Sequence, residues 1–333
     1  MRLGLWLLGD QLNQAAVEAL PQRPDVIILI ESLAWVQQRR YHAQKLVLVW
    51  SAMRHFAANL EAAGDRVVYC EAADFSTALQ MVCQTEQLGE LWLWQPADYP
   101  FRQQVSALAL PCPLKILPNP LFIWSDTAIS TWFAGRKRWL LEDFYREGRR
   151  RWQVLLDEGK PVGDRWNYDS ENRRPPKTGL QPPPPLDTVP DAITKAVLAK
   201  VKTLSTFGEA EPFRWAVSRS RALELLQHFC TVNLPDFGPY QDAMLTDQPW
   251  LWHALLSPYI NLGLLHPLEV IQAAEAAYRE GHAPIASVEG FIRQVLGWRE
   301  YMRAIYELVI PNDYARANFF NHQQPLPAFF LGR

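Results

Sequence analysis

Paired cysteines are missing from this sequence. Cys70, Cys83, Cys112 and Cys230 are far apart in the chain and none forms a CxxC spacing. This excludes a zinc ribbon, a dithiol redox motif and a disulfide framework, and the four read as plain thiols. Long apolar runs are missing too. Leu3 to Leu8 is a short stretch closed by Gly9 and Asp10, too brief for a signal-peptide core or a membrane span, so the chain is expected to be cytoplasmic and away from membranes. No one sign of charge dominates. Lys plus Arg total 33 against 35 Asp plus Glu, and the net charge of -2 excludes a uniformly basic nucleic-acid coat while leaving room for a local basic patch. With 20% charged and 49% hydrophobic residues, the chain is no disordered polyelectrolyte. What is present is chain enough for about two domains in 333 residues, and 14 tryptophans, a load that serves packing, redox hopping or stacking on a planar ligand.

Residues 1–130 repeat one pattern, a short β-branched or leucine-rich run, a loop and an amphipathic stretch. The runs are Leu3–Leu8, Val26–Ile30, Leu46–Val49, Arg66–Cys70 and Leu91–Trp94, with a weaker Leu114–Leu117. Helical spacing falls between them, as in Ala52–Ala63 and Phe75–Gln84. Strands without polar alternation, joined by helices, predict a doubly wound α/β domain with a parallel sheet covered on both faces. Residues 131–190 form a basic helical segment and a linker. Between Trp132 and Trp152 seven basic residues (Arg136, Lys137, Arg138, Arg146, Arg149, Arg150, Arg151) face only three acids, and the Pro182–Pro185 run favours an extended surface crossing. Residues 191–333 read as all-helical, broken into short helices by Pro258, Gly263 and Pro267.

In a doubly wound sheet the ligand lies beyond the C-terminal strand ends. Gly9, Asp10 and Gln11 follow the first run, Glu31 and Ser32 the second, and Trp50 and Ser51 the third. The first turn is not GxGxxG, so a nicotinamide site is not expected. Its backbone donors, carboxylate and carboxamide suit a neutral heterocycle or a ribityl chain, and Asp10 equally suits a helix N-cap. Glu31 is costly to bury without hydrogen bonds, which favours a site, although a cap or surface position also explains it. Ser51 is a plausible cap for the helix carrying Arg54 and His55. In the helical half, Ser257 precedes Pro258, which pushes its main chain out of helix and frees its hydroxyl for phosphate oxygens; a tight helix–helix turn through Asn261 and Gly263 accounts for the same residues. Arg293 and Arg299, on a largely apolar helix, need partners, either Glu289 and Glu300 or a diphosphate.

The colinear phrases Leu8-Gly9-Asp10-Gln11-Leu12, Ser51-Ala52-Met53-Arg54-His55-Phe56, Gly135-Arg136-Lys137, Trp166-Asn167-Tyr168-Asp169, Tyr240-Gln241-Asp242-Ala243-Met244, Leu256-Ser257 with Tyr259-Ile260-Asn261, and Val288 to Tyr301 cover nearly the whole chain. Together they resemble the bacterial (6-4) photolyase and deoxyribodipyrimidine photolyase-related branch of the photolyase–cryptochrome superfamily, whose complete members carry flavin, an iron-sulfur cluster and a ribityllumazine antenna. The resemblance implies an α/β photolyase-type domain followed by an incomplete helical flavin-binding domain. It implies that Gly9, Asp10, Gln11 and Glu31 hold a 6,7-dimethyl-8-ribityllumazine antenna, and that Ser257, Asn261, Arg293 and Arg299 hold flavin adenine dinucleotide (FAD). Trp298 is placed beside the lesion opening, where it would stack on an extruded base of UV-damaged DNA. The implied activity is light-driven electron-transfer repair of ultraviolet pyrimidine photoproducts; a non-catalytic chromophore-binding or light-signalling, cryptochrome-like protein is the alternative. Pro325 to Arg333 resembles the stretch before the family's first cluster cysteine. The chain is therefore expected to be truncated, without the cluster cysteines, the iron-sulfur cluster, the helices that close over the flavin and the aromatic relay, and to be a monomer.

Overall fold

The computed structural model describes residues 2–176, 179–310 and 317–331. Strand β1 (Arg2–Leu7) leads through α1 (Gln14–Glu18) to β2 (Val26–Ser32), and α2 (Leu33–Gln37) and α3 (Ala43–Ala62) lead to β3 (Val67–Ala72). Then follow α4 (Phe75–Thr85), β4 (Leu88–Trp94), α5 (Tyr99–Ser106) and β5 (Leu114–Leu117). The five strands form one parallel sheet in the order β3-β2-β1-β4-β5. All seven residues of β2 are buried, as expected of a strand covered on both faces. Because chain order reverses between β1 and β4, their C-terminal ends flank the crevice where such sheets take ligands.

One expected strand is a helix. Leu46–Val49 lies inside α3, and Ser51 sits in its middle; the actual N-cap is His42, whose Nδ1 accepts from the Gln44 N–H at 3.2 Å. Four consecutive apolar residues fit either a buried strand or a buried helix. The pattern that decides is the longer one, with Leu46, Trp50, Met53, Phe56, Ala57 and Leu60 all buried at three- and four-residue spacing.

The remainder is helical apart from a two-residue hairpin pairing Leu156–Asp157 with Lys160–Pro161. It comprises α6 (Asp126–Phe133), α7 (Leu141–Trp152), α8 (Ala192–Val201), α9 (Arg219–His228), α10 (Leu234–Tyr240), α11 (Ser257–Leu262), α12 (Pro267–Arg279), α13 (Ile285–Ile292) and α14 (Glu300–Val309). Two π-helical stretches, Phe229–Asn233 and Arg293–Arg299, join α9 to α10 and α13 to α14. Trp252 to Leu256, expected to be helical, forms no helix. Ser257 is itself helical, because Pro258 sits in the first turn of α11, where its missing N–H costs nothing. No helix among the described residues is long and apolar enough to cross a membrane.

Two of the ties between the halves lie beside the strand ends. After β1, the Leu12 N–H donates to the Leu262 carbonyl and the Asn13 amide to the Gly263 carbonyl, each at 2.8 Å. Gly263 needs to be glycine there. It stands at φ 87°, and a Cβ would come within 3.0 Å of the Leu12 nitrogen. Beside β2, the fully buried Glu31 accepts from Arg54 Nε at 2.7 Å, Tyr69 Oη at 2.6 Å and Lys200 Nζ at 2.6 Å, while Glu71 takes the remaining reach of Arg54 and Lys200. Lys200 belongs to α8, so this network fastens the helical half to the sheet. Removing the central carboxylate leaves two partly buried cations with only the half-exposed Glu71 as a partner. Glu31→Gln is expected to lower the unfolding free energy by about 3–5 kcal/mol, measured by urea denaturation, whereas a loss below about 1 kcal/mol would show that the network is not structural.

Candidate functional site

A cavity of about 500 Å3 opens at the C-terminal ends of β1, β2 and β4. Each element that follows a strand contributes to it. Gly9 and Asp10 come from the turn after β1, Ser32 and Trp35 from the step into α2, Phe75 from the first residue of α4, and Asp98 and Phe101 from the start of α5. Met53, Trp50 and Val49 of α3 form one wall, and Asn261, Leu262 and Arg299 of the helical half form another. Trp35, Phe75 and Phe101 pack together, with centroids at 4.7 Å for Trp35–Phe101 and 5.5 Å for Phe75–Phe101. Such a space, aromatic with a few convergent polar groups, suits a planar heterocycle of two or three rings.

Asp10 is its distinctive polar group. Burial pushes its carboxyl up to about 6; its own backbone N–H works against this, and the nearby Asp98 charge adds to the rise. Among the described residues no other side chain bonds to it. Asp98, by contrast, caps α5 by accepting from the Phe101 N–H at 2.8 Å. Arg299 donates to Glu300 at 2.7 Å and to the Leu121 carbonyl at 3.2 Å, and its guanidinium lies 4.4 Å from the Phe122 ring centre. Glu300, fully buried, also accepts from the Ile123 and Trp124 N–H groups at 3.0 Å, so the Arg299–Glu300 pair braces the loop that edges the cavity.

Of the residues singled out in the sequence, Gly9, Asp10, Asn261 and Arg299 therefore come together on this one cavity. Asn261 and Arg299 thus share this cavity with Gly9 and Asp10, the residues expected to hold the antenna. Ser32 and Trp50 line it too, while Gln11, Glu31, Ser257, Arg293 and Trp298 are not on its lining. Gln11 is buried beneath the turn, donating to the Trp94 carbonyl at 2.9 Å and accepting from the Leu8 N–H at 3.3 Å. Glu31 is consumed by its ion network. Ser257 is exposed on the first turn of α11, and Arg293 is buried against Asp169 at 2.5 Å and Glu289 at 3.3 Å. Trp298 is 43% exposed, edge-on to Tyr301. The sequence reading passed over Trp35, Phe75 and Phe101. Their shared signal is an aromatic residue within the first three positions of the helix after β2, β3 and β4. No group of three or more His, Cys, Asp or Glu among the described residues stands ready to hold a metal ion.

Residues 5–215 match the family model described as deoxyribodipyrimidine photo-lyase-related protein. The chain belongs to this family. It is 40% identical to a (6-4) photolyase of Agrobacterium fabrum over 336 aligned positions, covering 97% of this chain and 66% of that protein. It is 38% identical over 94 residues to an uncharacterized protein of Acanthamoeba polyphaga mimivirus, a match spanning 28% of this chain and 71% of that one. A crystal structure of a bacterial class III photolyase from Agrobacterium tumefaciens shares the fold, with a TM-score of 0.55 at 17% identity over 94% of this chain and 60% of that chain. The photo-lyase-related chain thus spans about two thirds of its curated relative and less of the solved one.

Asp10 gives the photo-lyase-related fold a measurable pH dependence. A carboxyl raised from 3.8 to about 6 holds its proton more tightly folded than unfolded, so stability is greatest below the unfolded value and falls as pH rises between the two. Asp10→Asn is expected to flatten that slope and to raise stability above pH 7 by roughly 2–3 kcal/mol in denaturant unfolding. An unchanged slope would mean that Asp10 is not desolvated.

Proposed function

We propose that this chain is the light-harvesting part of a photolyase-type protein, and that its 500 Å3 cavity holds a 6,7-dimethyl-8-ribityllumazine antenna. The observation that carries the reading is the cavity's position and lining: it lies at the strand-order reversal, has a cluster of tilted aromatic residues and contains one desolvated carboxylate without an outside partner. Asp10, ionised, accepts from a ring N–H or ribityl hydroxyl. Trp35, Phe75 and Phe101 pack against the apolar part and keep water away, and Asn261 offers an amide from the helical half. The 1–130, 131–190 and 191–333 division supports the same reading, because the cavity draws its walls from the first and last of these segments.

The name of the Agrobacterium fabrum relative supports repair of ultraviolet pyrimidine photoproducts in DNA by light-driven electron transfer as the reaction served. FAD, when bound, supplies the electron for such chemistry. Of the residues expected to hold it, Asn261 and Arg299 line the larger cavity, whereas Arg293 already pairs with two carboxylates, Asp169 and Glu289. No role toward FAD follows for Arg293. For DNA, the exposed part of the basic segment is the phosphate-contacting candidate. Arg150 lies over Trp166 at 4.7 Å and Arg151 over Trp124 at 4.5 Å, whereas Arg149 is wholly buried on the Val154, Leu155 and Trp166 carbonyls. Trp298 remains an exposed stacking surface in this reading.

Titration with 6,7-dimethyl-8-ribityllumazine, followed by its fluorescence, is expected to show saturable binding that weakens about 10- to 100-fold in Asp10→Asn, the size of a lost charge-assisted hydrogen bond. Affinity is expected to fall as pH drops through about 6, when Asp10 takes up its proton. Binding that is absent, or indifferent to both Asp10→Asn and pH, would overturn the antenna reading. The DNA arm is separate. Arg150→Ala with Arg151→Ala is expected to reduce the slope of log K against log salt by about 1 to 2 for duplex DNA. An unchanged slope would remove this segment from the interface.

A further inference from the structure

Far apart in the sequence, two of the four cysteines meet in the fold. Cys83 lies near the end of α4, and Cys112 lies 29 residues further on, in the segment between α5 and β5. The Cys112 thiol donates to the Cys83 sulfur at 3.6 Å. Both side chains are buried in the core that α4 and α5 share on one face of the sheet. Among the described residues, Cys70 and Cys230 make no such contact.

The contact is prepared from both sides. Gln80 stands three residues before Cys83, on the same face of α4, and donates to the Ala109 carbonyl at 2.9 Å, which seats the segment on the helix one turn earlier. Leu108 and Leu110 pack into the same core. Pro111 and Pro113 flank Cys112 and narrow its backbone to extended conformations, so little freedom is left to lose when its sulfur is held. A disulfide needs the sulfurs about 1.5 Å closer than they stand. Cys83 is fixed in a helix, but residues 107–113 belong to no helix or strand, so the closure falls to the Cys112 side. The two prolines are exposed, which gives a small oxidant its approach to that sulfur. Burial, and then the neighbouring Cys112 thiol, push the Cys83 thiol up to about 12, so it is the one that stays protonated.

We propose that Cys83 and Cys112 are a modification site, which closes to a reversible disulfide when the chain meets a peroxide. The Cys112 sulfur attacks one peroxide oxygen, the O–O bond breaks, and the thiol proton leaves with the other oxygen as water, giving a sulfenic acid. The Cys83 sulfur then attacks the sulfenic sulfur. The S–O bond breaks, the Cys83 proton joins the departing hydroxide as a second water, and the S–S bond forms. The two thiols lose two electrons in all and the peroxide gains them. The bond encloses β4 and α5 in one covalent loop. It ties α4, which opens with Phe75, to the segment that leaves α5, which carries Phe101, and so fastens together the supports of two rings of the larger cavity. Neither sulfur lines that cavity or the smaller one of about 360 Å3 in the helical half, and the site stands apart from the antenna reading.

The test treats the folded chain with hydrogen peroxide, blocks the remaining thiols with iodoacetamide in urea, and reads the unreduced digest by mass spectrometry. One internal cross-link between Cys83 and Cys112 is expected, with Cys70 and Cys230 recovered as alkylated thiols. The bond constrains the unfolded chain, so the thermal midpoint is expected to rise by about 5 °C and to return with dithiothreitol. Cys70→Ala combined with Cys230→Ala is expected to keep the bond and the rise, and Cys112→Ser to lose both. Four thiols surviving the peroxide, a bond between any other pair, or sulfinic or sulfonic acid in place of the bond overturns the proposal. A midpoint that still rises with peroxide in Cys112→Ser does so as well.

Discussion

The turn after β1 is pinned from below and from above, and the larger cavity exists because of it. Gln11 is held to Leu8 and Trp94 inside the sheet domain, while Leu12 and Asn13 are held to the last turn of α11. With those three residues committed, Asp10 is the member of the turn whose side chain is free to face a ligand. The same bonds fix where the helical half sits, so the roof and floor of the cavity are set by one short stretch of backbone.

The ion network around Glu31 performs the complementary task. It lies one residue from the cavity lining, yet all its reach is directed away, toward α3, β3 and α8. A carboxylate buried to this depth needs several donors, and here the structure supplies them from three elements. Glu31 and Asp10 thus make an instructive pair. Both are acids at the C-terminal end of a strand, Glu31 within β2 and Asp10 in the turn after β1, but the first is satisfied inside the protein and the second is not.

Much of the fold was legible in the sequence. Strands without alternation, separated by helical spacing, define a parallel doubly wound sheet, and four of the strands lie where their runs stand, with the weaker Leu114–Leu117 completing five. Leu46–Val49 failed because four apolar residues carry no period, and only the continuation to Leu60 shows the helix. The site was legible in part. Position after a strand picked out Gly9 and Asp10, the family resemblance picked out Asn261 and Arg299, and all four line one cavity. Position alone does not say whether a side chain is already paired, as Gln11, Glu31 and Arg293 are here. The aromatic lining depends on contacts between elements and leaves only faint marks in a linear pattern.

The account rests on the larger cavity being a chromophore site, and the most direct measurement is a crystal structure of the chain grown with 6,7-dimethyl-8-ribityllumazine. The account predicts electron density for the ring system between Trp35, Phe101 and Met53, with a ligand N–H or hydroxyl within hydrogen-bond distance of the Asp10 carboxylate. Density at any other place, or a ligand in the cavity that leaves Asp10 without a partner, would contradict it.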